Sequence, residues 1–167
     1  MDNLFTGTGV AVVTPFHKYG TIDFNSLEKV LNHIIEGGVE FVLALGTTSE
    51  APTLSADEKM AVANFFTETV KGRVPIMLGI GGNNTQEVIN TIKTTSFEGI
   101  DALLTVAPYY NKPGQKGLYY HFYLFYRDLK YARPLYVLNY HVNHPFFIYY
   151  SIRYKNFIIR GKLSVAL

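Results

Sequence analysis

Short apolar runs with no polar alternation, each followed by a segment with one apolar helical face, recur from Gly9 to Leu138. Gly9-Val10-Ala11-Val12-Val13-Thr14, closed by Pro15, is expected to form a buried strand. Asp23 stands in the N-cap position of a helix whose Leu27, Val30, Leu31, Ile34 and Ile35 share a face, and Gly37-Gly38 ends it. Phe41-Val42-Leu43-Ala44-Leu45 predicts a second strand. Ser55-Ala56-Asp57-Glu58 has capping-box spacing for a helix running to about Val70. Val74-Pro75-Ile76-Met77-Leu78 predicts a third strand, with Pro75 near its start, where a missing N–H is tolerated. Asn84-Thr85 opens a third helix through Val88, Ile89 and Ile92 and on towards Phe97, and Ile100 to Val106 predicts a fourth strand. A fourth helix is expected from about Gly117 to Lys130, and a fifth strand over Pro134-Leu135-Tyr136-Val137-Leu138.

Strands that are apolar on both faces and alternate with helices imply a parallel sheet covered by helices, with right-handed crossovers. An open doubly wound sheet and a closed barrel both satisfy that pattern. The first strand ends in Thr14-Pro15-Phe16, without the glycine fingerprint that a dinucleotide fold places there. Gly79-Ile80-Gly81-Gly82 is glycine-rich, but it follows the third strand and lacks a phosphate-binding lysine. A complete eight-stranded barrel typically needs about 250 residues, and this chain has 167.

Charge is distributed unevenly. Up to Gly117 there are 12 acidic residues against 8 Lys and Arg; beyond it Asp128 faces 7 Lys and Arg, and 10 of the 13 tyrosines lie there. A basic, aromatic segment offers phosphate contacts and stacking to nucleic acid. The tyrosines come in clumps without a fixed period, however, and no RNA-binding motif accompanies them, so no nucleic-acid partner is expected. The chain has no cysteine, and His33, His141 and His144 lack a metal-ligand spacing, so no metal is expected. Met1 to Thr6 carries no leader pattern, and no apolar run approaches the roughly 20 residues of a membrane span. The expectation is a cytoplasmic protein with no membrane partner.

In a parallel α/β architecture, chemistry gathers at the strand C-terminal ends. After the second strand stands Gly46-Thr47-Thr48-Ser49-Glu50. Two adjacent hydroxyls and free backbone N–H groups in a tight turn suit a small carboxylate, and an ordinary capped turn fits the same residues. After the fourth strand stands Pro108-Tyr109-Tyr110-Asn111-Lys112-Pro113. Its tyrosines fit loop packing or a phenol acting as a proton relay.

These segments, with Gly81-Gly82-Asn83 between them and the opening Gly9 to Phe16, stand in the order and spacing of the dihydrodipicolinate synthase family. The resemblance covers roughly residues 5 to 122 and takes in Gly117-Leu118-Tyr119 and His121-Phe122. The double-Thr turn and the Tyr-Tyr-Asn-Lys-Pro loop resemble the synthase more than N-acetylneuraminate lyase. The implied fold class is α/β, of the TIM (β/α)8-barrel family, truncated here to about five βα units with an atypical C-terminal tail. The implied activity is an aldolase-type condensation of pyruvate with aspartate semialdehyde through a lysine Schiff base, with no metal or organic cofactor, on the way to diaminopimelate and lysine. Thr47 and Thr48 match the threonines that hold the pyruvate carboxylate, and Thr48 also matches a member of the proton relay. Tyr110 matches the tyrosine that reaches into a neighbouring subunit's site, which implies a homo-oligomer, dimer or tetramer.

The chain departs from the family pattern after the fourth helix. At the fifth strand Leu138 occupies the position of the relaying Tyr, with Asn139 matching the family Asn; Tyr140, two residues on, is the candidate substitute. Lys162, after the apolar run Phe157-Ile158-Ile159, is the candidate Schiff-base lysine, ahead of Lys155. It lacks the expected acid after it, and a solvated lysine near the terminus fits it as well. The expected organisation is an N-terminal part of a (β/α) barrel over 1–133 and a degenerate fifth- and sixth-strand region over 134–167. Alongside the synthase stands the alternative of an inactive truncated or frameshifted family member, or a partial barrel that needs a partner chain.

Overall fold

The computed structural model describes residues 4–129, 135–138 and 165–166. In chain order the elements are β1 (Gly9–Ala11), α1 (Phe24–Glu36), β2 (Phe41–Ala44), α2 (Ala56–Val70), β3 (Ile76–Gly79), α3 (Thr85–Thr94), β4 (Ala102–Val106), α4 (Gln115–Asp128), β5 (Leu135–Leu138) and β6 (Val165–Ala166). Two short 3-10 turns, Thr47–Ser49 and Ala51–Thr53, lie between β2 and α2.

Local chemistry sets the helix starts. Asp23 accepts from the Ser26 N–H and hydroxyl, and these bonds hold its carboxyl below the usual carboxylate range. Ser55 and Glu58 form a reciprocal capping box at the start of α2, with Glu58 accepting the Ser55 N–H at 2.8 Å and its own carboxyl lowered by that bond. Asn84 accepts from the N–H groups of Gln86 and Glu87.

The chain divides into two compact units. The first holds β1, α1, β2, α2, β3, residues 97–101 and β6. Its strands are all parallel, in the order β6-β1-β2-β3, with Gly9 opposite Phe41 and Val42 opposite Ile76. Every residue of β2 is buried, as expected of a parallel strand covered on both faces. Leu27 and Leu31 of α1 and Val62, Phe66 and Val70 of α2 are buried, and α2 packs on β2 and β3. A Cβ at Gly9 would enter the ring of the buried Phe41, which would have to move.

The second unit holds residues 80–96 with α3, then β4, α4 and β5. β4 and β5 pair in parallel from Leu103 opposite Leu135 to Val106 opposite Leu138. α3 packs on α4, with Val88, Ile89, Ile92 and Phe125 buried. Among the described residues no helix is long and apolar enough to cross a membrane.

The strand–helix alternation expected from the sequence is present through β5, with shifted ends. β1 stops at Ala11 rather than Thr14, because beyond Val12 the chain bonds to the turn after β2. β3 starts at Ile76, not Val74: Pro75 contributes only its carbonyl, to Val42 N–H at 3.1 Å. The Ile76 N–H is taken by the Asp101 carboxylate at 2.9 Å, and the Asp101 N–H donates back to the Ile76 carbonyl. That exchange engages Asp101 outside β4, which starts at Ala102 rather than Ile100. α3 ends at Thr94, short of Phe97, whose carbonyl instead closes a turn with the Ile100 N–H. α4 spans Gln115–Asp128, beginning two residues before the expected Gly117 because the Leu118 N–H already bonds to the Gly114 carbonyl.

Candidate active site

In the first unit the end of β2 runs into a left-handed residue, Leu45, at φ 53°. Gly46 returns the backbone to an extended conformation and caps the turn Thr47–Ser49, and Glu50 at φ 55° ends it. The Ser49 N–H donates to the Gly46 carbonyl at 3.1 Å and the Glu50 N–H to the Thr47 carbonyl at 3.0 Å. The N–H groups of Thr47 and Thr48 precede these donors, so the turn gives them no carbonyl of its own. Gly46 has no side chain to cap them. Thr47 is exposed and Thr48 half-buried. Two hydroxyls and two amides thus stand at the C-terminal end of a buried parallel strand, the donor set that a carboxylate accepts from.

The turn is held from behind. Ser49, 1% exposed, donates its hydroxyl to the Val12 carbonyl at 2.6 Å. The hydroxyl of Thr14, also buried, donates to the Ser49 carbonyl at 2.8 Å. Gly79, at the end of β3, comes so close to Leu45 that a Cβ would enter the Leu45 carbonyl oxygen.

In the second unit the loop after β4 presents Tyr109 and Tyr110. The Asn111 N–H donates to the Tyr109 carbonyl at 2.9 Å, a three-residue turn with Tyr110 at its apex at φ 70° and 92% exposed. A non-glycine residue in that conformation is strained. The Asn111 side chain donates to the Asn83 carbonyl at 3.2 Å, tying this loop to the segment before α3. Thr105 on β4 is buried with no hydrogen-bond partner for its hydroxyl among the described residues, and Gly81 approaches β4 so closely that a Cβ there would press on Val106. His121 on α4 is buried against Phe125, with ring centroids 4.2 Å apart, and burial pushes its imidazole down to about 4.

Thr47 and Thr48 stand side by side in the turn after β2 in the first unit, and Tyr110 lies on the loop after β4 in the second. Tyr140 and Lys162 lie outside the described residues. Ser49 and Thr14 were not singled out from the sequence. The signal available was a hydroxyl residue at the end of each of two neighbouring parallel strands, directly before Pro15 and directly after the Thr pair.

Parallel strands alternating with helices, with polar turns beyond the strand C-terminal ends, define a protein of the parallel α/β class. The model of the dihydrodipicolinate synthetase family matches residues 4–127. The 4-hydroxy-tetrahydrodipicolinate synthase of Flavobacterium psychrophilum is 47% identical over 138 residues, covering 83% of this chain and 46% of that protein. A crystal structure of the chloride-inhibited dihydrodipicolinate synthase from Acinetobacter baumannii, complexed with pyruvate, superposes with a TM-score of 0.77 at 41% identity, covering 81% of this chain and 46% of that one. The synthase from Aquifex aeolicus gives a TM-score of 0.76 at 35% identity over 81% of this chain and 45% of its own. The chain belongs to the dihydrodipicolinate synthetase family, and its fold is that of the TIM (β/α)8-barrel family. It spans about half the length of the relatives it matches.

Proposed function

We propose that this chain provides the pyruvate-binding N-terminal part of an aldolase-type lyase that condenses pyruvate with aspartate semialdehyde. The observation that carries this is the turn after β2, where Thr47 and Thr48 present hydroxyls and amides on a strand end tied to β1. In this reading both threonines hold the pyruvate carboxylate, and Thr48 also passes protons. A lysine amine, for which Lys162 is the candidate, condenses with the pyruvate ketone and releases water. The protonated imine draws electrons from the methyl carbon, a proton leaves to give an enamine, and the enamine attacks the aldehyde. Tyr140 is the candidate relay to the imine, and Tyr110 the phenol contributed to a neighbouring copy in a dimer or tetramer. The reaction requires no metal or organic cofactor, and its place is the cytoplasm, in diaminopimelate and lysine biosynthesis. The division into a barrel part over 1–133 and a divergent part over 134–167 belongs to the same proposal.

One observation favours a second reading, an inactive family member or a partial barrel completed by another chain: β5 ends in Leu138, where the family pattern has the relaying Tyr. Incubation with pyruvate and borohydride, followed by intact-mass measurement and peptide mapping, separates the two. A reduced pyruvyl adduct on Lys162 supports the lyase. A folded protein that acquires no adduct supports the second reading.

A further inference from the structure

We propose that Ser49 and Thr14 are positioning residues that hold the Thr47–Thr48 turn in the shape of a carboxylate cradle. The inference rests on the reading of that turn as the pyruvate site.

The turn is bracketed by two non-glycine residues in the left-handed region, Leu45 at φ 53° and Glu50 at φ 55°. Such residues persist where the surroundings over-determine them. Inside the turn there are two backbone bonds, from Ser49 to Gly46 and from Glu50 to Thr47. From outside, Thr53 Oγ1 donates to the Glu50 carbonyl at 2.8 Å, and two side-chain bonds join Ser49 to the segment just after β1. Ser49 Oγ donates to the Val12 carbonyl at 2.6 Å, and Thr14 Oγ1 donates to the Ser49 carbonyl at 2.8 Å. The two bonds run in opposite directions between the same two segments and close a ring. Val12 is itself fixed, since its N–H continues the β1–β2 ladder by donating to the Leu43 carbonyl at 3.0 Å.

Both hydroxyls are buried, Ser49 at 1% and Thr14 at 4% exposure, so water offers little replacement if either is lost. Ser49 follows Thr48 directly. Fixing its side chain and its carbonyl fixes the end of the turn, and thereby the direction of the two amides that precede it. The threonines make the contact with the ligand, while Ser49 and Thr14 decide whether those donors converge on one point.

The test is native-state hydrogen exchange at the Ser49 and Glu50 amides, together with a pyruvate titration. The variants are Ser49→Ala, the isosteric Thr14→Val and the conservative Thr14→Ser. Loss of either hydroxyl is expected to speed exchange at Ser49 and Glu50 about tenfold relative to the amides of β3. It is also expected to weaken pyruvate binding about tenfold, and Thr14→Ser restores both. Exchange at Ser49 and Glu50 that follows β3 in every variant overturns the proposal, as does a Thr14→Ser protein that behaves like Thr14→Val. If the parent chain binds no pyruvate while the variants still loosen the turn selectively, the positioning role stands and the pyruvate reading fails.

Discussion

Thr85 Oγ1 lies 2.7 Å from His121 Nδ1, joining the first residue of α3 to the middle of α4 across 36 positions of sequence. The other ring nitrogen, Nε2, is buried with no hydrogen-bond partner among the described residues. A proton added to this ring would have to be carried without solvent, and burial accordingly pushes the imidazole from 6.5 down to about 4.

The unfolded chain thus binds a proton at His121 that the folded chain refuses between about pH 6.5 and 4. The contribution of the neutral ring to stability is complete above pH 6.5 and is lost as the pH falls towards 4, to a total of about 3 kcal/mol. His121→Phe keeps an aromatic ring beside Phe125 and removes the titration. Denaturant unfolding at pH 7 and pH 4.5 should show a smaller loss of stability on acidification in the variant than in the parent. An equal loss in both would remove His121 from the acid response.

Gly79 faces the Leu45 carbonyl with no room for a Cβ. Gly79→Ala must displace the end of β3 or the left-handed Leu45, and either shift reaches the turn that carries Thr47 and Thr48. The expected cost is about 2 kcal/mol in urea unfolding, in the range of an overpacked core position. A variant with the parent's midpoint would show that this approach is looser than the structure has it.

The Ser55–Glu58 capping box starts α2, whose Val62, Phe66 and Val70 are buried in the core of the first unit. Ser55→Ala should lower stability by about 1 kcal/mol, and Ser55→Gly by only a few tenths. Equal losses for the two substitutions would place the effect elsewhere than in the cap.

The strand–helix alternation was legible because it depends on neighbours in sequence. The apolar run of β2, the spacing of Ser55 and Glu58 and the cap at Asn84 each act over a few residues, and each stands where the sequence placed it. Strand ends were harder to read, because the competitor for a backbone group comes from far away. The Ser49 hydroxyl, 37 residues on, occupies the Val12 carbonyl, and the Asp101 carboxylate occupies the Ile76 N–H from 25 residues away. The candidate site divides in the same way. Thr47, Thr48 and Tyr110 were readable as motifs after strands, whereas the Ser49–Thr14 ring exists only once β1 and β2 lie side by side. Thr85 and His121 were invisible as a pair for that reason too.

In the proposed function the Thr47–Thr48 turn binds the carboxylate of pyruvate. Amide spectra of the folded chain titrated with pyruvate test it directly, alongside a Thr47→Val and Thr48→Val pair that preserves shape and removes the hydroxyls. Saturable shifts at Thr47, Thr48 and Ser49, with affinity falling about tenfold in each variant, are the predicted result. Spectra in which those amides stay still while the protein remains folded, or in which both variants bind as the parent does, would show that this turn is not the pyruvate site.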